Sequence, residues 1–366
     1  VLRNAGALNV AVAANVVDSL QRQASTTTAS PLYGHLLSVA IDDIARGGPC
    51  AAVLRHCAPE IDPWAQAVPL RFLGGLHRIV LEGRAPVLAR HYGSVGGVFD
   101  GSNPGTSGDD FIASVAEHAD ELIGALDRPV QTNEVGRAAL LVGGYIEIAR
   151  RTGLPLRLLE VGASAGLNMR WDSYFYDTGS STFGDPASGL RFEGVWEGDV
   201  LPDLAVDVTV ADRGGCDLNP IDATTDEGAL TLLSYVWPDQ ALRIAHLRGA
   251  IDIARAVPVR VERADAGAWV TRALATPTPA VATVVVHSIV LQYLSKETRD
   301  RVRDAIRTAG ASATSDSTIH WLRMEPAGPV ADLRLTSWAG VRGGGVDEVL
   351  ATAGYHGAPV RWASVR

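Results

Sequence analysis

A chain of 366 residues suffices for one large or two ordinary domains, and 47% hydrophobic with 20% charged residues marks a globular protein rather than a disordered chain. A net charge of −9 disfavours nonspecific attraction to phosphate backbones, so no nucleic-acid partner is indicated, and no apolar run reaches the ~18 residues of a membrane span. Cys50, Cys57 and Cys216 are odd in number and lack a C-x-x-C pair, which argues against a disulfide framework or a thiolate zinc site and points to a reducing cytoplasm.

The opening stretch "NAGALNVAVAANVVDSL" resembles a weak signal-peptide core, but Asn9 and Asn15 interrupt it and no cleaved leader is expected. Up to about residue 150 the chain reads as helical. "PLYGHLLSVAIDDIARG", "WAQAVPLRFLGGLHRIVLEG" and "DDFIASVAEHADELIGAL" space their apolar residues by three and four. Ser30 is a cap residue and Pro31 suits the first turn. "RHYGSVGGVFDGSNPGTSGDD" is a glycine-rich loop, and "QTNEVGRAALLVGGYIEIARRTG" is a helix ending at Gly153. Residues 1–150 are therefore expected to form a helical N-terminal domain that caps the site of the domain that follows.

From Leu154 strands alternate with helices. "LRLLEVG", "VPVRVERADA", "VATVVVHSIVLQYL", "TIHWLRMEP", "ADLRLTSW" and "APVRWASV" read as strands, "KETRDRVRDAIRTAG" and "VDEVLATAG" as helices. This grammar predicts an α/β domain over residues 151–366, with a mostly parallel sheet of Rossmann-like type and an insertion at about 172–230. Within the insertion, pattern alone leaves open whether "VDVTVADRGG" is a core strand or half of a hairpin with "LRFEGVWEG".

The segment "LLEVGASAGLN" carries the chemistry. Gly162-Ala163-Ser164-Ala165-Gly166 spells G-x-S-x-G, the elbow of a serine hydrolase, and chain order offers Asp265 and His356 as partners for Ser164. A hydrolase has no use for Glu160, two residues before the first glycine. A strand ending in acid-x-G-x-S-x-G resembles the first motif of class I methyltransferases that use S-adenosylmethionine. There the small residues let the backbone approach the cofactor and the acid helps hold its amino-acid part. That resemblance implies cofactor contacts from Glu160, Gly162, Ser164, Gly166 and Asn168, from Asp217 toward the ribose hydroxyls, and from Asp265 toward the adenine amine. It puts His287, at the end of the third strand-like run and matched to that family's fourth strand, and Tyr293 beside the reacting group, with His287 as base for an oxygen or nitrogen acceptor.

"VQTNEVGR", "LLEVGASAGLN", "DLNPID", "LLSYVWPDQ", "HSIVLQYL", "WLRMEP" and "AGYHG" together resemble a bacterial family, domain of unknown function 2332, from about Ser30 to the C-terminus. That resemblance implies a helical part joined to a methyltransferase-like domain and leaves the substrate open. The expected function is methyl transfer from S-adenosylmethionine to a small or medium-sized acceptor. The alternatives are a serine hydrolase using Ser164 and a non-catalytic ligand sensor or partner-binding module on the same fold. No metal is expected, and the oligomeric state is open. Trp237 and Asp239 are expected at a helix start. Asn133, Glu134 and Arg137 stand near the domain junction, Arg137 either as an anion clamp or in an ion pair with a glutamate.

Overall fold

The computed structural model describes residues 12–26, 29–57, 62–339 and 345–363, so residues 4–11 of the leader-like stretch lie outside it. The chain divides into two compact units, Val1–Thr132 with Leu230–Ala245, and Asn133–Ala229 with His246–Arg366.

The first unit is helical: α1 (Ala14–Thr26), α2 (Pro31–Ala45), α3 (Pro49–Leu54), α4 (Val68–Leu81), α5 (Pro86–Ala89), α6 (Ser107–Glu117) and α7 (Ala119–Leu126). Ser30 caps α2 by accepting the Tyr33 N–H at 3.2 Å, with Pro31 in the first turn. The single helix expected over 109–126 is two, because His118 leaves helical geometry. Leu36, Val53, Phe72, Leu76, Phe111 and Leu122 share one core. Trp237 packs against that core, 6.2 Å from the ring of Tyr33, and Asp239 accepts the Leu32 N–H. The stretch around them is a turn rather than a helix start, and Trp237 is a packing residue.

The second unit opens with α8 (Ala138–Thr152), ended by Gly153 at φ +65°. This helix falls on the sheet side of the division rather than in a domain ending near residue 150. Its small residues explain why: Gly143 lies against Trp362 and Gly144 against Leu322, both sheet side chains. There follow β1 (Leu156–Val161), β2 (Phe175–Asp177), β3 (Thr182–Phe183), β4 (Arg191–Glu193), β5 (Val210–Asp217), α9 (Asp226–Ser234), α10 (Ala241–Ala256), β6 (Arg260–Arg263), α11 (Ala266–Ala273), β7 (Val281–Ser288), α12 (Lys296–Ala311), β8 (Ser317–Ala327), β9 (Val330–Trp338), β10 (Val346–Ala353) and β11 (Val360–Trp362), of which the end of α9 and the start of α10 fall within Leu230–Ala245 and so in the first unit.

The large sheet has the order β11-β10-β9-β8-β7-β1-β5-β6. The run β8-β7-β1-β5-β6 is parallel, and β9, β10 and β11 continue from β8 as antiparallel neighbours. The unit is thus mixed α/β with a mostly parallel sheet. Strand β5 pairs with both β1 and β6, which makes "VDVTVADRGG" a core strand, whereas β4 belongs to a separate sheet, β3-β2-β4. The helix expected over 346–354 is instead β10. A bulge between Val349 and Ala351 breaks the two-residue alternation, and the broken alternation imitates helical spacing.

Alternation assigns the two faces of the sheet. Leu159, Val161, Val285 and Trp321 pack with Trp269 and Val270 of α11 and Val302 and Ile306 of α12. Their neighbours Leu158, Glu160, Val286 and Leu322 point to the opposite face, where α8 lies.

Candidate functional site

At the C-terminal tip of β1 the chain turns through Gly162, Ser164 and Gly166 with φ of +67°, +52° and +67°. Glycine is required at 162, since a Cβ there would stand 2.3 Å from Val290 Cγ2. The loop is pinned from two sides. Ser164 N–H donates to Asp217 Oδ2 at 2.9 Å, and Ala163 N–H to the Cys216 carbonyl at 3.0 Å. Asn133 Oδ1 accepts the N–H groups of Ala165 and Leu167 at 3.3 and 2.9 Å, and Asn168 Nδ2 donates to the Glu134 carbonyl at 3.2 Å. The helix expected after the loop, with Asn168 just inside it, is a 3-10 segment, Asn168–Ser173. Arg170 leaves helical geometry there, its guanidinium bonded to the carbonyls of Gly166 and Val257. Trp171 is stacked between Tyr145 and Phe183, at 4.7 and 5.2 Å, which turns the chain toward the small sheet.

The same stretch holds an unusual set of buried atoms. Glu160 Oε2, Ser164 Oγ, Asn168 Oδ1 and Trp171 Nε1 have no hydrogen-bond partner among the described residues, and Glu160 is only 3% exposed. Burial pushes the Glu160 carboxyl up to about 8; the Asp217 charge adds to this, and the Arg137 and Arg170 guanidiniums oppose it. One unmet buried polar group costs about 1–3 kcal/mol, and a charged one more. Native interiors pair the large majority of such groups. Four such atoms fall in the stretch from Glu160 to Trp171, at and just beyond the tip of β1. Glu160, Gly162, Ser164, Gly166 and Asn168 lie along this one stretch, and Asp217 is bonded to it through the Ser164 N–H.

Other expected residues lie at the same edge with their polar atoms engaged. Asp265 caps α11 by accepting the Ala268 N–H at 2.9 Å, and its second oxygen accepts the Thr298 hydroxyl at 3.1 Å. His287 is 0% exposed. The Trp321 indole can only donate, so at 2.9 Å His287 Nε2 is the acceptor. Nδ1 then carries the proton and donates to Glu325 Oε1 at 2.7 Å. Glu325 Oε1 also accepts the Val290 and Leu291 N–H groups, so the trio braces the turn after β7. In this arrangement His287 has no nitrogen left for a substrate, which corrects the expectation of a base there. Tyr293 is 75% exposed on that turn.

The hydrolase constellation is not assembled. Ser164 Oγ has no partner, Asp265 is engaged with α11 and α12, and His356 Nδ1 lies 2.9 Å from Glu134 Oε2. Arg137 Nε donates to the Tyr355 carbonyl at 3.1 Å and its Nη1 to the Ser288 carbonyl at 2.9 Å. Sequence reasoning singled out "QTNEVGR" but missed the pairing of Glu134 with His356 and the bracing role of Glu325 and Trp321, because these contacts join segments 34 to 222 residues apart.

A cavity of about 490 Å³ lies elsewhere, between α11 and α12 near the starting ends of β1, β7 and β8, lined by Arg157, Thr283, Arg301 and Ile319 among others. No lining side chain there has a buried polar atom without a partner, so the glycine loop is the better candidate. Among the described residues no group of three or more His, Cys, Asp or Glu side chains is placed to hold a metal ion, and no helix is long and apolar enough to cross a membrane.

A family model described as "Uncharacterized protein conserved in bacteria (DUF2332)" matches residues 17–362. Neither a curated protein nor a solved structure matches the chain.

Proposed function

The chain belongs to the DUF2332 family, and on that premise we propose that it is a methyltransferase that takes its methyl group from S-adenosylmethionine and acts on a small or medium-sized acceptor. The observation that carries this reading is the unpartnered set Glu160 Oε2, Ser164 Oγ and Asn168 Oδ1 at the tip of the central strand. An ammonium group brings positive charge and three donors. It would ionise Glu160 and satisfy the oxygens beside it.

Strand order supports the reading. In β6-β5-β1-β7-β8 the chain leaves β1 toward β5 on one side, while β7 lies on the other, and parallel α/β sheets bind ligands at such a switch point beyond their strand tips. Asp217 ends β5, where the ribose hydroxyls would lie. Each of its oxygens holds one backbone N–H, from Ser164 and Asn219, and keeps a second lone pair. Asp265 is occupied as a helix cap, so no adenine contact is assigned to it. The cofactor supplies a methyl group already activated by its cationic sulfur. The protein is left with alignment and the exclusion of water. The three free cysteines suit a reducing cytoplasm.

Calorimetry with S-adenosylmethionine and S-adenosylhomocysteine tests the proposal. Both should bind the full chain, and Glu160→Gln should weaken them at least tenfold. No heat of binding at millimolar ligand overturns the reading. Binding without turnover on broad acceptor panels would instead favour a sensor.

A further inference from the structure

Near the tips of the parallel strands two histidines face opposite circumstances. His287 is sealed, with both nitrogens bonded to protein. His356 is 58% exposed, and its Nδ1 is hydrogen-bonded to Glu134 Oε2 at 2.9 Å. A carboxylate only accepts, so Nδ1 carries the proton and the lone pair of the neutral ring is left on Nε2, open to the surroundings. Glu134 itself is buried and fixed, its second oxygen accepting the Gly136 N–H at 3.3 Å.

The pair is tied to the glycine loop. Glu134 also accepts Asn168 Nδ2 through its carbonyl, and Asn168 Oδ1 is one of the unpartnered atoms. The His356 loop is packed tightly on the Glu134 segment. A Cβ on Gly136 would lie 2.3 Å from the His356 carbonyl oxygen, and one on Gly357 would lie 2.0 Å from that of Gly136. Arg137 Nε holds the Tyr355 carbonyl at 3.1 Å. The histidine loop and the Glu160 loop thus brace a common segment, 133–137.

We propose that His356 Nε2, oriented by Glu134, is the proton acceptor of the reaction, and that the substrate is consequently an acceptor with an ionisable X–H group: a hydroxyl, phenol, thiol or protonated amine. This rests on the methyltransferase reading. The X–H proton passes to Nε2. The pair that held it forms the bond from X to the methyl carbon, and the carbon–sulfur pair stays on sulfur. The imidazolium that results stands against the Glu134 carboxylate, which stabilises it. A thioether or tertiary amine acceptor would need no such pair.

The test uses the full chain as wild type, His356→Ala, His356→Gln and Glu134→Gln, each checked for an unchanged thermal midpoint. Diethyl pyrocarbonate should acylate His356 and spare His287, and saturating S-adenosylhomocysteine with a catechol, a primary amine or an alkyl thiol should slow the acylation several-fold. With S-adenosylmethionine carrying a labelled methyl, wild type should transfer label to at least one of these acceptors or to an alcohol. His356→Ala should lose about 100-fold and recover with added imidazole, and both His356 variants should keep S-adenosylhomocysteine binding within twofold. Glu134→Gln should lose rate at unchanged KM.

Transfer unaffected in His356→Ala, transfer to none of the four classes, or transfer only to thioethers or tertiary amines overturns the proposal while the cofactor reading stands. Loss of S-adenosylhomocysteine binding in wild type removes both.

Discussion

Glu160 is an acid whose surroundings disfavour its charge. Its carboxyl titrates at about 8 in the folded chain, against ~4.3 in an unfolded one. Between those values the folded state keeps a proton that the unfolded state has released, so this group's contribution to stability is lost as pH rises from about 4 to 8. Urea unfolding of wild type and Glu160→Gln at pH 5, 6.5 and 8 should show the variant gaining on wild type as pH rises, by about 3–4 kcal/mol between pH 5 and 8. A difference that does not change with pH would mean that Glu160 is ionised in the folded protein. Gly162 is the other decisive residue. Gly162→Ala combines φ +67° with a Cβ 2.3 Å from Val290, and denaturant titration should show a loss of about 2–4 kcal/mol. Ser164, by contrast, lines the loop at φ +52° with no base on its oxygen, and a fluorophosphonate probe should leave it unlabelled.

At the scale of elements, the β7–β8 edge shows how a buried polar group becomes structural. The Trp321 indole, the His287 ring and the Glu325 carboxylate form a chain across two strands and end on the backbone of the following turn. Trp321→Phe leaves the His287 acceptor without its donor inside the core. It should cost ~1–3 kcal/mol in chemical denaturation while S-adenosylhomocysteine affinity stays within about twofold. A large loss of affinity with little loss of stability would return His287 to the list of reacting groups. Helix and strand identity were readable wherever one period ran unbroken, as in α2, α8, α12 and β7. They were misread where a local irregularity changed the count, at the β10 bulge, at His118, and at Arg170 in the 3-10 segment.

For the whole molecule, ligand binding and folding are one equilibrium. A ligand that binds only the folded chain raises its stability by RT ln(1 + [L]/Kd), about 2.7 kcal/mol at 100 times Kd. S-adenosylhomocysteine should therefore raise the thermal midpoint of the sheet unit, Asn133–Ala229 with His246–Arg366, and Glu160→Gln should at least halve the rise at that concentration. The sequence alone determined the α/β class and the strand-loop unit around Glu160, because each is written in local residues: a short apolar run, small residues where the chain must turn, a carboxylate at the tip. Only the tertiary structure decided which of these groups still have atoms to offer. Free nitrogens and unmet oxygens depend on partners far off in the chain, so Trp321 and Glu325 close His287, α12 occupies Asp265, and Glu134 leaves the far nitrogen of His356 open.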